Sequence, residues 1–222
     1  MDKFIEGLKT FSPQLLQGTY ITIELTVISL ILGLILGLLV AMGRLSNNKL
    51  INKACGVYIS ILRGTPLLVQ LMYVYFVFPE LGIQMTAFQA AIVALSINES
   101  AYLAETFRAG ILSIPKGQME AAMAVGMDYS KAMRRIILPQ AIRNMLPAIG
   151  NSAITLTKNS SLAAVITVSE LMYQGQILVA ATFENILIFT LVAIIYWLLH
   201  YPLALLVNYL EKRGDYRNAA SS

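Results

Sequence analysis

TYITIELTVISLILGLILGLLVAM, residues Thr19 to Met42, carries a single charge, Glu24, near its start; the rest is apolar, glycine or small hydroxyl. As a helix rising about 1.5 Å per residue it is long enough to cross a hydrocarbon core about 30 Å thick, so the stretch reads as a membrane span. It is too long for a signal-peptide core and no small-x-small cleavage site follows, which predicts that it is retained. Within it Gly33 and Gly37 form a GxxxG pair, a spacing that lets a second helix approach closely. The whole chain agrees: of 222 residues 57% are hydrophobic and 13% charged, against about a quarter charged in an average soluble domain, and the mean hydropathy is +0.69. Disorder, a disulfide scaffold and a secreted soluble enzyme are excluded. Cys55 and His200 are the only residues of their kinds, so neither a disulfide nor a zinc cluster is on offer.

Working outward, Met1 to Gly18 mixes Asp2, Lys3, Glu6 and Lys9 with apolar residues, and Pro13 interrupts it, which predicts a short interfacial segment. After the first span, Arg44, Lys49, Lys53 and Arg63 follow without an acidic residue. The positive-inside rule places them in the cytoplasm and the N-terminus outside. A second span covers 57–81, broken by Pro66 near its cytoplasmic end, and a third covers 87–107. The loop 108–143 holds six basic residues against Glu120 and Asp128, so it is cytoplasmic. Hydropathy does not decide 146–166, which contains Asn151, Ser152, Thr155, Lys158, Asn159, Ser160 and Ser161. Parity does: the loop and the basic tail at Lys212 and Arg213 are both inside, so an even number of crossings separates them. Residues 146–166 are then the fourth span and 186–206 the fifth. The expectation is an all-α membrane protein, a single domain over 1–222 with five transmembrane helices, the N-terminus outside and the C-terminus cytoplasmic. Thirteen of the sixteen lysines and arginines then lie inside, so the net charge of +4 marks topology rather than contact with nucleic acid.

The long loop has its own punctuation. Pro115 precedes a run of helix formers, Lys116 to Val125, and Gly126 closes it as a C-cap. Asp128 caps a second short helix, Tyr129 to Leu138, which Pro139 is expected to terminate. Ala121, Ala122 and Ala124 would let a partner surface close on the backbone, with Glu120 as a charged contact; an amphipathic helix lying on the membrane is the alternative. No GxxxxGK[ST] phosphate loop occurs, so energy comes from a partner or from an ion gradient.

Glu120-Ala121-Ala122 with Gly126, then Ile137-Leu138-Pro139, resembles the EAA signature of ABC importer permeases. Arg63-Gly64-Thr65-Pro66-Leu67-Leu68-Val69-Gln70, Ser100-Ala101-Tyr102-Leu103-Ala104-Glu105 and Lys158-Asn159-Ser160-Ser161-Leu162 resemble motifs of the polar amino acid branch, and the likeness runs from Gly18 to Lys212. The resemblance implies a type I importer fold in a bacterial inner membrane. It also implies two paired permease copies, two cytoplasmic ABC ATPase subunits that carry the ATP and magnesium, and an extracytoplasmic amino-acid-binding protein. No cofactor is then bound by this chain. Lys116, Glu120, Ala121, Ala122, Gly126 and Pro139 become the ATPase-coupling residues, with the knob a lever between ATPase closure and the gate.

An ionisable side chain inside a span is costly and marks a functional site by default. Glu99 lies near the middle of span three and Lys158 near the middle of span four. Asn98, Tyr102 and Glu105 recur at helical spacing, and Asn151, Thr155 and Lys158 repeat it on span four, so two polar stripes can line one cavity. The substrate-binding candidates are Asn98, Glu99, Tyr102, Thr155, Lys158, Ser160 and Ser161. A Glu99–Lys158 ion pair that fastens the two spans is the competing reading; Glu105, three residues before Arg108, is expected to pair with it. In the branch that the chain resembles, the residue before Ser-Ala-Tyr is usually small, so Glu99 is a departure that points to a cationic amino acid such as arginine, lysine or histidine. Its side-chain charge would meet Glu99 and its zwitterionic end Ser160 and Ser161. An ion-coupled carrier with Glu99 and Lys158 as a proton relay is the alternative function. A hydrolase lacks a nucleophile with a base.

Overall fold

Alanine and glycine decide where the helices meet. In the computed structural model, which describes residues 2–219 and is helical throughout its regular elements, α1 (Asp2–Arg44) and α4 (Ala87–Leu112) form the most extensive helix pair. A Cβ at Gly37 would stand 2.9 Å from the Leu103 Cβ and 3.0 Å from the Ser100 carbonyl, and one at Gly33 would stand 3.3 Å from the Glu99 Cβ. Ala90, Ala91, Ala94, Ala101 and Ala104 of α4 are buried. The GxxxG pair is thus the seat of α4, and small side chains on both helices let the backbones close.

Pro13 does not interrupt the N-terminal segment: α1 runs through it as one 43-residue helix, and Met1 lies outside the described residues. Leu15 just beyond the proline is buried with Leu171, Ile188 and Leu191. That packing holds the helix past the one hydrogen bond that proline forfeits.

The predicted second span is a broken one. α2 (Lys49–Gly64) is capped by Asn48, whose side chain accepts from the Leu50 and Ile51 amides, and α3 (Leu67–Met72) leaves it at 104° before running on through a π turn and a 3₁₀ turn to Leu81. Thr65 and Pro66 are extended, and the missing proline N–H falls at the start of α3, where no helical acceptor is lost.

In the loop, α5 (Lys116–Ala124) ends at Gly126, whose φ of +85° is the left-handed conformation that glycine adopts without strain. The Met127 amide donates back to Ala122 O at 3.1 Å. Asp128 caps α6 (Tyr129–Ala132) by accepting from the Lys131 amide at 2.8 Å. Pro139 does not terminate the second helix. The chain widens into a π turn at Met133–Ile137, the Leu138 amide bonds to Met133 O, and Pro139 sits in the first turn of α7 (Leu138–Asn159). The wide turn makes room for a ring that would clash in an unbroken α-helix.

α7 tightens into a 3₁₀ turn over Ser160–Ile166 and stops at Thr167, which has φ 64°. A further helix unforeseen in the sequence, α8 (Leu171–Thr182), follows at 49° to the preceding stretch, and α9 (Asn185–Ala219) closes the chain against α7 and α8. Among the described residues, two helices are each long and apolar enough to cross a membrane, and up to four spans result if each bent pair counts as one. Ile114, Ile137, Ala141 and Met145 form a core beneath the loop, tying α5 and α6 to α7.

Candidate functional site

The corner between α2 and α3, the middle of α4 and the polar stripe of α7 enclose a cavity of about 770 Å³. α4 contributes Asn98, Glu99 and Tyr102, neighbours on one helical face. α7 contributes Asn151, Thr155 and Asn159, spaced four apart, with Ser152 beside them, and the corner contributes Arg63 and Thr65. The α7 stripe therefore continues to Asn159 instead of Lys158. At 100° per residue Lys158 is turned by about 80° from its centre.

Glu99 is 4% exposed, and its Oε1 has no hydrogen-bond partner among the described residues. Ser152 of α7 is the hydroxyl facing the carboxylate. The absence of a side chain at Gly33 is what admits the Glu99 stem between α1 and α4. Arg63 lies with its guanidinium carbon 5.1 Å from the centre of the Tyr102 ring, a cation–π contact. One carboxylate and one guanidinium thus border the same space, along with amide and hydroxyl groups. This arrangement suits a ligand that carries both signs of charge and several hydrogen-bonding atoms.

Four of the predicted substrate residues, Asn98, Glu99, Tyr102 and Thr155, share this cavity. The other three do not. Lys158 is exposed and, with Ser161, opens on a separate space of about 340 Å³ lined by Met172, Phe189 and Tyr196. Ser160 is buried and donates to Thr157 O at 2.8 Å, while Ser161 donates to Lys158 O at 2.7 Å, so both hydroxyls turn back on their own helix. Glu99 and Lys158 make no ion pair, because their side chains leave α4 and α7, respectively, into different spaces. The pair that is present among the described residues is Arg108 with Glu105, at 2.7 Å, as their spacing predicts.

Arg63 was legible as a topology charge and as the head of a motif, not as a cavity residue, and Asn159 is found by extending the Asn151–Thr155 step by four. Glu170 went unnoticed. It is fully buried at the N-cap of α8, where its carboxylate accepts from the Met172 and Tyr173 amides at 3.0 and 2.7 Å, from Tyr196 of α9 at 2.7 Å and from Thr22 of α1 at 3.4 Å. A lone carboxylate directly before an apolar helical run was the signal.

On the knob, Lys116, Glu120, Ala121, Gly126 and Pro139 are exposed. Ala122 is 7% exposed and packs inward, so it belongs to the seat of α5 and not to its outer face. Met123, Val125 and Tyr129 are the large apolar side chains that the knob leaves open.

The family model described as "Binding-protein-dependent transport system inner membrane component" matches residues 33–215. The L-cystine transport system permease protein TcyB of Bacillus subtilis is 41% identical over 93% of this chain and 89% of its own. The arginine transport system permease protein ArtQ of the same organism is 42% identical over 90% of each. Among solved structures, an amino acid ABC transporter crystallised with histidines superposes with a TM-score of 0.89 at 38% identity, covering 95% of this chain and 98% of that one. The methionine transporter MetNI, at 22% identity and a TM-score of 0.69 over 90% and 98% of the two chains, shares the fold.

Proposed function

Since the chain belongs to the inner-membrane components of binding-protein-dependent transport systems, we propose that it forms the translocation path of an ATP-driven importer for polar amino acids whose side chains are cationic. It is a transport subunit integral to the inner membrane, and its family works with an ATPase and a binding protein. Membership of a binding-protein-dependent system replaces the ion-coupled carrier as the working reading. The relatives are named for cystine, glutamine and arginine, so the cationic preference rests on this chain's own residues.

The single observation that carries it is the buried Glu99 carboxylate with an unpartnered oxygen on the cavity wall. An uncompensated carboxylate at membrane depth is costly, and a guanidinium or ammonium arriving with the substrate supplies the missing charge. Tyr102, Asn98 and Thr155 offer a ring face and hydrogen bonds. Arg63, in place of Ser160 and Ser161, takes the substrate carboxylate, since it is the cation bordering the same space. α4 is the third of the five spans, its polar face turned to the cavity, and the five-span arrangement with the N-terminus outside puts the knob in the cytoplasm. There Lys116, Glu120, Ala121 and Gly126 engage the ATPase, which holds ATP and magnesium.

A second copy of the chain completes the path. Tyr102, Asn151 and Thr155 are exposed on the single chain, and lipid satisfies none of their polar atoms.

The test is uptake of labelled arginine into proteoliposomes that hold this chain with its ATPase and binding protein, with ATP on the ATPase side. ATP-dependent uptake that excess unlabelled glutamine fails to compete is the expected result. Glu99→Gln should weaken arginine uptake about tenfold or more and leave any glutamine uptake nearly unchanged. Equal loss of both would make Glu99 structural, and uptake driven by a proton gradient without ATP would overturn the importer.

A further inference from the structure

At the 104° corner between α2 and α3 the last carbonyls of α2 lose the partners that a continuous helix would give them. Gln70 of α3 reaches back across the corner to cover them. Its Nε2 donates to Leu62 O at 2.9 Å, and to Thr65 O and Thr65 Oγ1 at 3.2 and 2.8 Å. On the far side of the same amide, Gln70 Oε1 accepts from Asn98 Nδ2 at 3.0 Å, and Asn98 Nδ2 also faces Leu62 O at 3.4 Å.

The direction of this chain of bonds is dictated by its first member. A backbone carbonyl has no proton to give, so the part of Gln70 that lies against Leu62 O and Thr65 O is its nitrogen. Its oxygen must then face Asn98, and a group facing that oxygen must donate. Both N–H groups of the Asn98 amide are thereby committed to the corner, and what Asn98 has left for the cavity it lines is Oδ1, an acceptor. Beside it stands the Glu99 carboxylate with its unpartnered oxygen. A bent backbone thus sets the hydrogen-bonding sign of the cavity wall two side chains away.

We propose that Gln70 is a specificity-determining positioning residue: by holding the Asn98 amide with its oxygen toward the cavity, it makes the Asn98–Glu99 stretch of the α4 wall an acceptor surface that takes the N–H donors of a guanidinium or ammonium side chain and rejects a side-chain carbonyl. The inference rests on the reading that this cavity binds a cationic amino acid, and deepens it. With Gln70 removed, the Asn98 amide is free to turn over and offer its N–H groups to a carbonyl.

The probe is a pair of ligands nearly alike in shape, arginine and citrulline, which differ in the guanidinium against the neutral ureido carbonyl. Their binding is measured by competition against labelled arginine on the purified permease–ATPase complex in detergent, without the binding protein, so that only the membrane site selects. The wild-type complex should prefer arginine. Gln70→Met, close in length and without donors, should lower the arginine-to-citrulline preference about tenfold, partly by raising citrulline affinity. Adding Asn98→Asp to that variant should restore the preference, because a carboxylate presents acceptors whichever way it turns. Should Gln70→Met not assemble with the ATPase, Asn98→Ser leaves in place the bonds that Gln70 Nε2 makes to Leu62 O and Thr65, and its hydroxyl turns freely between donating and accepting; the preference should again fall. A preference unchanged in these variants, a loss shared equally by both ligands, or no restoration by Asn98→Asp overturns the inference and leaves the cationic reading standing. A wild-type complex that binds neither ligand, or prefers citrulline, overturns both.

Discussion

Glu99 and Lys158 show how far a single position can be read from sequence. Both were legible as costly charges in mid-span; helical spacing set Glu99 about a quarter turn from the face of Asn98 and Tyr102, and the cavity is wide enough to take in all three. What spacing did not settle was whether Lys158 shares that space: it stands about 80° from the centre of a stripe whose true continuation is Asn159. The two charges line different cavities, so their effects should be independent. In detergent melts of Glu99→Gln, Lys158→Met and the double variant, the changes should add to within about 0.5 kcal/mol. Recovery of stability in the double variant would mean a pairing that the cavity geometry does not contain. Glu170 was passed over for a different reason. Its partners come from Thr22 and Tyr196, 148 and 26 residues away in the chain, and nothing local advertises them.

Among the elements, the knob followed its punctuation closely at Gly126 and Asp128 and departed from it at Pro139. Caps depend on a residue and its immediate neighbours, and so they are readable. A proline's effect depends on whether the turn before it can widen, which is a matter of packing on Ile137 and Ala141. A Cβ at Gly126 meets open space, so the cost of replacing it comes from the φ of +85° alone. Gly126→Ala should therefore cost about 1 kcal/mol locally and weaken ATPase association, with Gly126→Asn nearer to wild type; pull-down of the ATPase and ATP hydrolysis uncoupled from uptake are the readouts. Gly37 is the opposite case. There a Cβ meets the Ser100 carbonyl, which belongs to the α4 backbone and cannot swing aside. Gly37→Val should lower the melting temperature of the purified chain by several degrees, roughly the effect of a 1–3 kcal/mol overpacking. An unchanged melt would mean that α1 and α4 have room to part.

For the molecule as a whole, composition and charge placement were enough to make it a helical membrane protein, and Pro66 marked one break, but they did not reveal the 49° bend after Ile166 or that α8 exists. Parity arguments count crossings and are blind to a helix that turns back or leans on its neighbours. The polar face left open by one copy leads to a stoichiometric expectation: native mass spectrometry of the complex released from mild detergent should find two permease chains with two ATPase chains. A complex with one copy of this chain would require a different permease on the open face. The Glu170 cluster also bears on how the protein is made. Its carboxylate draws on α1, on the first amides of α8 and on Tyr196 of α9, so its last ligand is also the last to leave the ribosome. Until α9 enters the membrane, the nascent chain carries an acid one hydroxyl short of its final set. Closure of this buried cluster therefore marks the docking of α9 on the rest of the chain.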